Sequence, residues 1–353
     1  MKGVRLLMGR KIAIFLFLSI VLVLSGCGSG ETQNKENKEV IKVYTTVYPL
    51  QDFTEKIGGK YVETETVYPP GTDEHSFEPT QKDIIKMADS DLFFYIGHNL
   101  EGFVTKAKPI LEQEDVKVTA IGEKIQLENG DGHSEEPGDE HTEEHGTEHS
   151  EEHASEHDGE HAGDQHDGEH EEEGDGHDHG DVDPHIWLDP VYAQEMAELI
   201  KDALVSEMPK QRTYFEDNFS KVQQQLQKLD ETFKNATANS RTDKIIVSHG
   251  AYGYWEDRYG IEQISVTGLS ASSDPSQKQL QEIIKTAREH DIHSVIFEQN
   301  ISSKLTAIIQ KEIGARSLTL HNLSVLTEKD LKNGEDYFSL MNKNAETLKT
   351  ALH

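Results

Sequence analysis

Hydrophobic positions along this chain switch between a period of two and a period of three to four, and each switch marks an element. Residues 40–50 (VIKVYTTVYPL) are β-branched and aromatic, which predicts a strand. Apolar positions at Phe53 and Ile57 predict a helix that ends at the Gly58-Gly59 pair. A strand over 62–68 follows, closed by a Pro-Pro-Gly turn. PTQKDIIKMADS predicts a helix with Ile84, Ile85 and Ala88 on its apolar side, DLFFYIG a buried strand, EGFVTKAKPILEQ a helix and VKVTAI another strand. After an interruption at about 129–183, DPHIWLDPVYAQEMAELIKDAL enters a helix whose apolar face carries Leu188, Val191, Met196, Leu199 and Ile200, broken at Pro209. From 211 to about 235, Tyr214, Phe215, Phe219, Val222, Leu226, Leu229 and Phe233 recur at a spacing of three or four, predicting one amphipathic helix of roughly seven turns.

A second alternating unit fills the rest of the chain. KIIVSHG, IEQISVTG, IHSVIFEQN and RSLTLHNL read as strands. Between them lie a short helix closed by Gly260, a helix with Asp274 as N-cap and Pro275 at its first position, and a helix ending at Gly314. EDYFSLMNKNAETLKTALH closes the chain as a helix. The alternation of strand and helix predicts an α/β protein of two lobes, each a parallel sheet flanked by helices, joined by one long helix. The expected divisions are a first lobe over 40–209 that contains the insert, a linking helix over 210–236 and a second lobe over 240–353. The halves are alike in pattern only, with no visible sequence repeat.

Charge changes the picture at two places. The net charge of −32 is concentrated in residues 131–181, which hold 22 Asp and Glu and 11 His. No Lys or Arg lies between positions 124 and 201. This argues against nucleic acid, whose phosphates need clustered Lys and Arg, and for cations. The first 26 residues read as a signal peptide: Lys2, Arg5, Arg10 and Lys11 precede the apolar run IAIFLFLSIVLVL, which is short for a membrane span of roughly 20 residues. LSGC ends at Cys27, the chain's sole cysteine, and looks like a bacterial lipobox; lipidation of Cys27 is expected to anchor the exported protein to the cell membrane through a polar tether over 27–39.

The acidic insert contains H-x-x-E-H six times between His141 and His170. Such a pattern on a rigid helix holds zinc beside a general base. Six overlapping copies with almost no apolar anchor offer no single geometry, so the segment reads as a flexible collector of metal ions. The ordered histidines say more. His75 follows the second strand, His185 opens the segment after the insert, and His249 ends KIIVSHG. Open α/β sheets bind ligands outside the carboxyl ends of their strands. The three imidazoles meet only if the lobes face each other across a cleft, and three neutral imidazoles favour Zn²⁺ in a near-tetrahedral site.

The motifs around these histidines, GTDEHSFEPT, DPHIWLDP and SHGAYGYWEDRYG, resemble the three metal-site motifs of zinc-binding lipoproteins of bacterial ABC uptake systems, the ZnuA type, and NGEDYFSLMNKNAETL is also similar to that family. The resemblance covers essentially all of the mature chain. It implies a rigid linking helix, a zinc ion held between the lobes by His75, His185 and His249, and delivery of that ion to an ABC transporter permease in the membrane; a monomer without catalysis is expected. An acidic His-rich loop in the first lobe is a feature of the family's zinc members. Manganese members offer carboxylates where this chain has His249, which supports zinc. Some zinc members supply a late Glu as fourth ligand; here the run is LHNLSVLT, with Ser324 near that place. The fourth position is left to Glu74 or water, with Glu298 and His321 as further candidates and Glu298 alternatively bonded to His249. The rival class is a lipid-anchored zinc hydrolase with Glu298 or Glu74 as general base. Against it, H-E-x-x-H, nucleophile-elbow and phosphate-loop motifs are missing from the sequence outside the insert.

Overall fold

The computed structural model describes residues 39–127, 182–269, 275–299 and 303–353. The signal segment, Cys27, the His-rich insert and Asp274 lie outside the described residues. In the first lobe, strands β1 (Ile41–Thr45), β2 (Val62–Thr66), β3 (Leu92–Tyr95) and β4 (Lys117–Ala120) alternate with helices α1 (Tyr48–Gly58), α2 (Gln81–Ala88) and α3 (Val104–Gln113). Two helices follow the insert, α4 (Pro190–Glu207) and α5 (Arg212–Thr237). The second lobe repeats the scheme with β5 (Lys244–His249), α6 (Tyr254–Tyr259), β6 (Glu262–Thr267), α7 (Gln277–Glu289), β7 (Ser294–Glu298), α8 (Lys304–Ile313) and β8 (Arg316–Leu320), and ends in α9 (Glu328–Asn333) and α10 (Tyr337–Leu352).

Both sheets are parallel, and both have the same order: β2-β1-β3-β4 in one lobe and β6-β5-β7-β8 in the other. Two halves without visible sequence similarity therefore share one topology. In each, the order reverses between the first and third strands, where a crevice opens at the strands' carboxyl ends.

Local chemistry moved several boundaries. The first strand stops at Thr45 because Pro49, in the first turn of α1, starts a helix at Tyr48. The second strand ends at Thr66. Helix α7 is capped by Ser276, not Asp274: the Ser276 hydroxyl accepts from the Gln279 N–H, and the Gln279 side chain accepts from the Ser276 N–H. Pro275 consequently precedes the cap. Helix α9 was not anticipated; a Thr327/Asp330 capping box starts it and Gly334, at φ 66°, ends it. In α4 the buried stripe runs through Tyr192, Ala193, Met196, Ala197, Ile200 and Leu204, shifted by a residue from the expected face at its start.

Helix α5 buries Phe215, Val222, Leu226, Leu229 and Phe233, as its spacing demands. It packs against α1, α4 and α10, so helices from both lobes form one layer. Phe53 of α1 meets Tyr337 of α10 edge-on at 4.8 Å. One apolar cluster runs from the first sheet through these helices into one face of the second sheet, while Ile246, Val266, Ile283, Val295 and Ile309 form a smaller core on its other face. Continuous close packing of this kind transmits strain between the elements it joins.

Candidate metal site between the lobes

The crevice of the second lobe carries two polar groups. His249 is the last residue of β5, paired with Thr267, and Glu298 is the last of β7, paired with Leu320. Glu298 Oε1 lies 2.8 Å from His249 Nδ1. Both side chains are 1% exposed. The equivalent point of the first lobe is closed by its own carboxylate: Glu101 accepts from the Thr46 hydroxyl and from the Ile96 and Gly97 N–H groups at 2.7–3.0 Å. Burial pushes that carboxyl up to about 7 against the pull of these donors.

His75 enters from the loop between β2 and α2. Asp73 shapes the loop by accepting from the His75 N–H at 3.2 Å and the Ser76 hydroxyl at 2.7 Å. His185 sits at the start of a single helical turn (Ile186–Leu188). Asp183, two residues earlier, takes both its backbone N–H at 2.9 Å and its ring Nδ1 at 2.8 Å. The second lobe then holds this segment residue by residue. The Tyr254 hydroxyl donates to the Asp183 carbonyl, Trp255 Nε1 to the Leu188 carbonyl at 2.8 Å, and Arg258 Nε to Asp189 at 2.8 Å. Gly253 leaves room for the same contact, since a Cβ there would stand 2.8 Å from Asp183 Oδ2 and the carboxylate would have to shift. The motif around His249 thus docks the motif around His185.

Together these elements bring one ring nitrogen of each of His75, His185 and His249 within 4.8 Å of the others. Ring centroids are 5.4, 5.4 and 4.9 Å apart. Among the described residues, no other group of His, Cys, Asp or Glu meets that criterion. The Nε2 atoms of His75 and His185 are buried and without hydrogen-bond partners. Buried polar atoms are nearly always satisfied, so two orphan nitrogens facing a shared space mark the place of a cation. With Nδ1 on Asp183, the His185 ring offers Nε2 to the shared space, the arrangement that orients imidazole toward a metal; His249 is likewise held at Nδ1 by Glu298, while its Nε2 meets the Leu269 carbonyl.

The three imidazoles differ in proton affinity. Burial and the two neighbouring imidazoles lower His75 to about 4, so it is a neutral donor across the physiological range. Burial alone would lower His249 too, but the hydrogen bond and charge of Glu298, joined by the Leu269 carbonyl 2.8 Å from Nε2, raise it to about 9. In the absence of an ion, His249 is therefore an imidazolium with both N–H groups satisfied.

Glu74 is buried beside the site, 3% exposed, and burial raises its carboxyl above the usual range. It is not in the close group; its Oε1 accepts from Asn322 Nδ2 at 3.3 Å. Glu298 is committed to His249 and Asn322. His321 has both nitrogens engaged, Nδ1 by the Leu323 N–H and Nε2 by Asp330. His98 lies apart from the cluster, and His290, His293 and His353 are exposed. Trp187 packs against His185 with centroids 5.3 Å apart. Sequence reasoning missed Asp183 and Asn322. An Asp two residues before a His in DPH is a legible Asx-turn signal; Asn322 offered no local one.

Residues 43–351 match the family described as "Zinc-uptake complex component A periplasmic" (ZnuA). The zinc-binding lipoprotein AdcA of Streptococcus pneumoniae strain R6 is 30% identical over 347 residues, which cover 96% of this chain but 60% of that protein. The chain therefore spans about three fifths of the length of the AdcA relatives it matches. The high-affinity zinc uptake system protein ZnuA of Bacillus subtilis is 29% identical over 341 residues, 96% of this chain and 97% of that one. Among solved structures, the Zn(II)-bound ZnuA-like domain of S. pneumoniae AdcA aligns with a TM-score of 0.67 and 28% identity over 89% of this chain and 99% of that domain.

Proposed function

The chain belongs to the ZnuA family of zinc-uptake components, and from that premise we propose that it captures Zn²⁺ outside the cytoplasm between its two lobes and hands it to the permease of an ABC transporter. The observation that carries this reading is the convergence of His75, His185 and His249, from three distant segments, with two buried nitrogens left without partners. An all-imidazole set suits zinc and disfavours the harder cations, which take oxygen ligands. Water takes the fourth position, since Glu74 is bound elsewhere. A tetrahedron of Zn–N bonds has edges of roughly 3.3 Å, so the rings close slightly on the ion and His249 leaves Leu269. The family is a transport component, and we read this member as a monomeric binding protein without turnover. Its residues 1–26 are removed, Cys27 carries lipid that anchors it to the membrane, and the His-rich insert collects ions for the buried site. Titration with zinc against a chelator tests the proposal: one tight site per chain and no hydrolysis of ester or peptide substrates are the expected results, and turnover by the zinc-loaded protein would favour a hydrolase.

Two further outcomes follow. An ion that takes His249 displaces a proton, because this imidazole is charged up to a pH of about 9. Protons compete below that value and cease to compete above it, so zinc affinity rises by about tenfold per pH unit from neutrality toward 9 and then levels. His75, neutral above about 4, adds no slope there. Calorimetry in buffers of different ionisation enthalpy counts the proton directly; a pH-independent affinity would exclude His249 as a ligand. Deletion of residues 131–181 is expected to leave the tight site intact and to remove weaker additional binding, both read by equilibrium dialysis. Loss of the tight site would overturn the accessory role of the insert.

A further inference from the structure

We propose that Asn322 is a positioning residue that keeps Glu74 off the captured ion, so that the ion is held by three nitrogens and an exchangeable fourth ligand. This deepens the zinc-capture reading and rests on it. The Asn322 amide stands between two carboxylates from opposite lobes. Its Nδ2 donates to Glu74 Oε1 at 3.3 Å and to Glu298 Oε2 at 3.1 Å, which uses both of its hydrogens. All three side chains are buried, at 5% exposure or less.

The orientation of the amide is fixed from its other end. Asn322 Oδ1 accepts from the Ser324 N–H at 3.1 Å, the Ser324 hydroxyl at 3.0 Å and Gln299 Nε2 at 3.1 Å. Turning the amide over would set its N–H₂ against those donors and its oxygen against two carboxylates, so it has one workable state. The backbone is fixed as well. The Asn322 carbonyl accepts from Trp187 Nε1 at 2.7 Å, and its N–H donates to Gln299 Oε1 at 3.1 Å. The next residue, Leu323, adopts a φ of 60°, a left-handed conformation unfavourable for leucine, and is fully buried. A strained residue persists where its surroundings over-determine it, as they do here.

The two acids beside the histidines thereby receive different tasks. Glu298 turns one oxygen to His249 and the other to Asn322, so it orients a ligand. Glu74, next in sequence to His75, is buried beside the site but is held by the amide and by Ser324. A buried carboxylate on the ion would add charge attraction and slow release. A protein that must hand its ion onward is served by an exchangeable ligand in that place.

Cobalt(II) substituted for zinc reports coordination through its visible d–d bands. The wild type and Glu74→Gln are expected to give the same spectrum. Asn322→Leu frees Glu74 and shifts the bands, and Asn322→Leu/Glu74→Gln returns them to the wild-type positions. Release of zinc to excess chelator is expected to slow by about tenfold in Asn322→Leu, the scale on which groups outside the ligand set act, and to recover in the double variant; a merely structural role for Asn322 would speed release in both. A spectrum altered by Glu74→Gln alone shows that Glu74 is already a ligand and overturns the proposal, as does an unchanged spectrum in folded, cobalt-loaded Asn322→Leu. Should Asn322→Leu fail to fold, the Glu74→Gln comparison decides by itself. If cobalt and zinc do not bind the wild type, or binding survives His75→Ala undiminished, the zinc-capture reading itself has failed.

Discussion

Replacement of His185 by Ala is expected to weaken zinc binding by about 100-fold or more while leaving the metal-free protein folded. Structural zinc sites are worth roughly 12 kcal/mol over four ligands, so one nitrogen accounts for about 3 kcal/mol, which is a factor of about 100. His75→Ala and His249→Ala are expected to fall in the same range. The removal of all three is expected to abolish tight binding. The control is His290→Ala, an exposed residue outside the close group, which leaves zinc affinity unchanged. Competition against a chelator measures each constant, and thermal unfolding with and without zinc separates lost affinity from lost structure, since a ligand stabilises only the state that binds it. A single replacement among the three histidines with undiminished affinity would remove that residue from the site.

The second large effect falls on the joint between the lobes. Trp187→Ala is expected to destabilise the metal-free protein by about 4 kcal/mol. The indole is fully buried. Its Nε1 donates to the Asn322 carbonyl, while its own carbonyl accepts from the Tyr337 hydroxyl at 2.7 Å. Truncation leaves a cavity and strands a buried carbonyl, which alone costs about 1–3 kcal/mol. Trp187→Phe keeps most of the volume, so its cost reflects chiefly the lost hydrogen bond, about 1 kcal/mol. Denaturant unfolding measures both. Zinc affinity is expected to drop in Trp187→Ala as well, because the indole supports the His185 ring. A loss of less than about 1 kcal/mol on truncation would mean that the lobes are not joined through this residue.

Much of this protein is legible without coordinates. Strand-helix alternation sets the fold class, because pattern and core face are local properties of a segment. The long spacing of apolar residues through Phe215, Val222, Leu229 and Phe233 determines the helix between the lobes. His75, His185 and His249 stand out because each lies at a strand end or a turn within a distinctive motif. Other features were invisible for a physical reason. Asp274 before Pro275 reads as the cap, whereas Ser276 holds that place through its reciprocal bonds with Gln279. Helix α9 is a single short stretch whose apolar pattern is too brief to register.

What the sequence by itself determined is therefore the set of elements, the long connecting helix and the identity of the three imidazoles. What only the tertiary structure decided is how they are brought together. The shared strand order places His249 and Glu298 side by side at the ends of β5 and β7, 49 residues apart in sequence. The bond from Trp187 to Asn322 spans 135 residues and that from Asn322 to Glu74 spans 248. Such pairings depend on the packing of whole lobes against one another. A side chain's neighbours across 248 residues leave no periodicity, cap or motif in the segment that carries it, so the sequence supplies the donors and the fold alone supplies their partners.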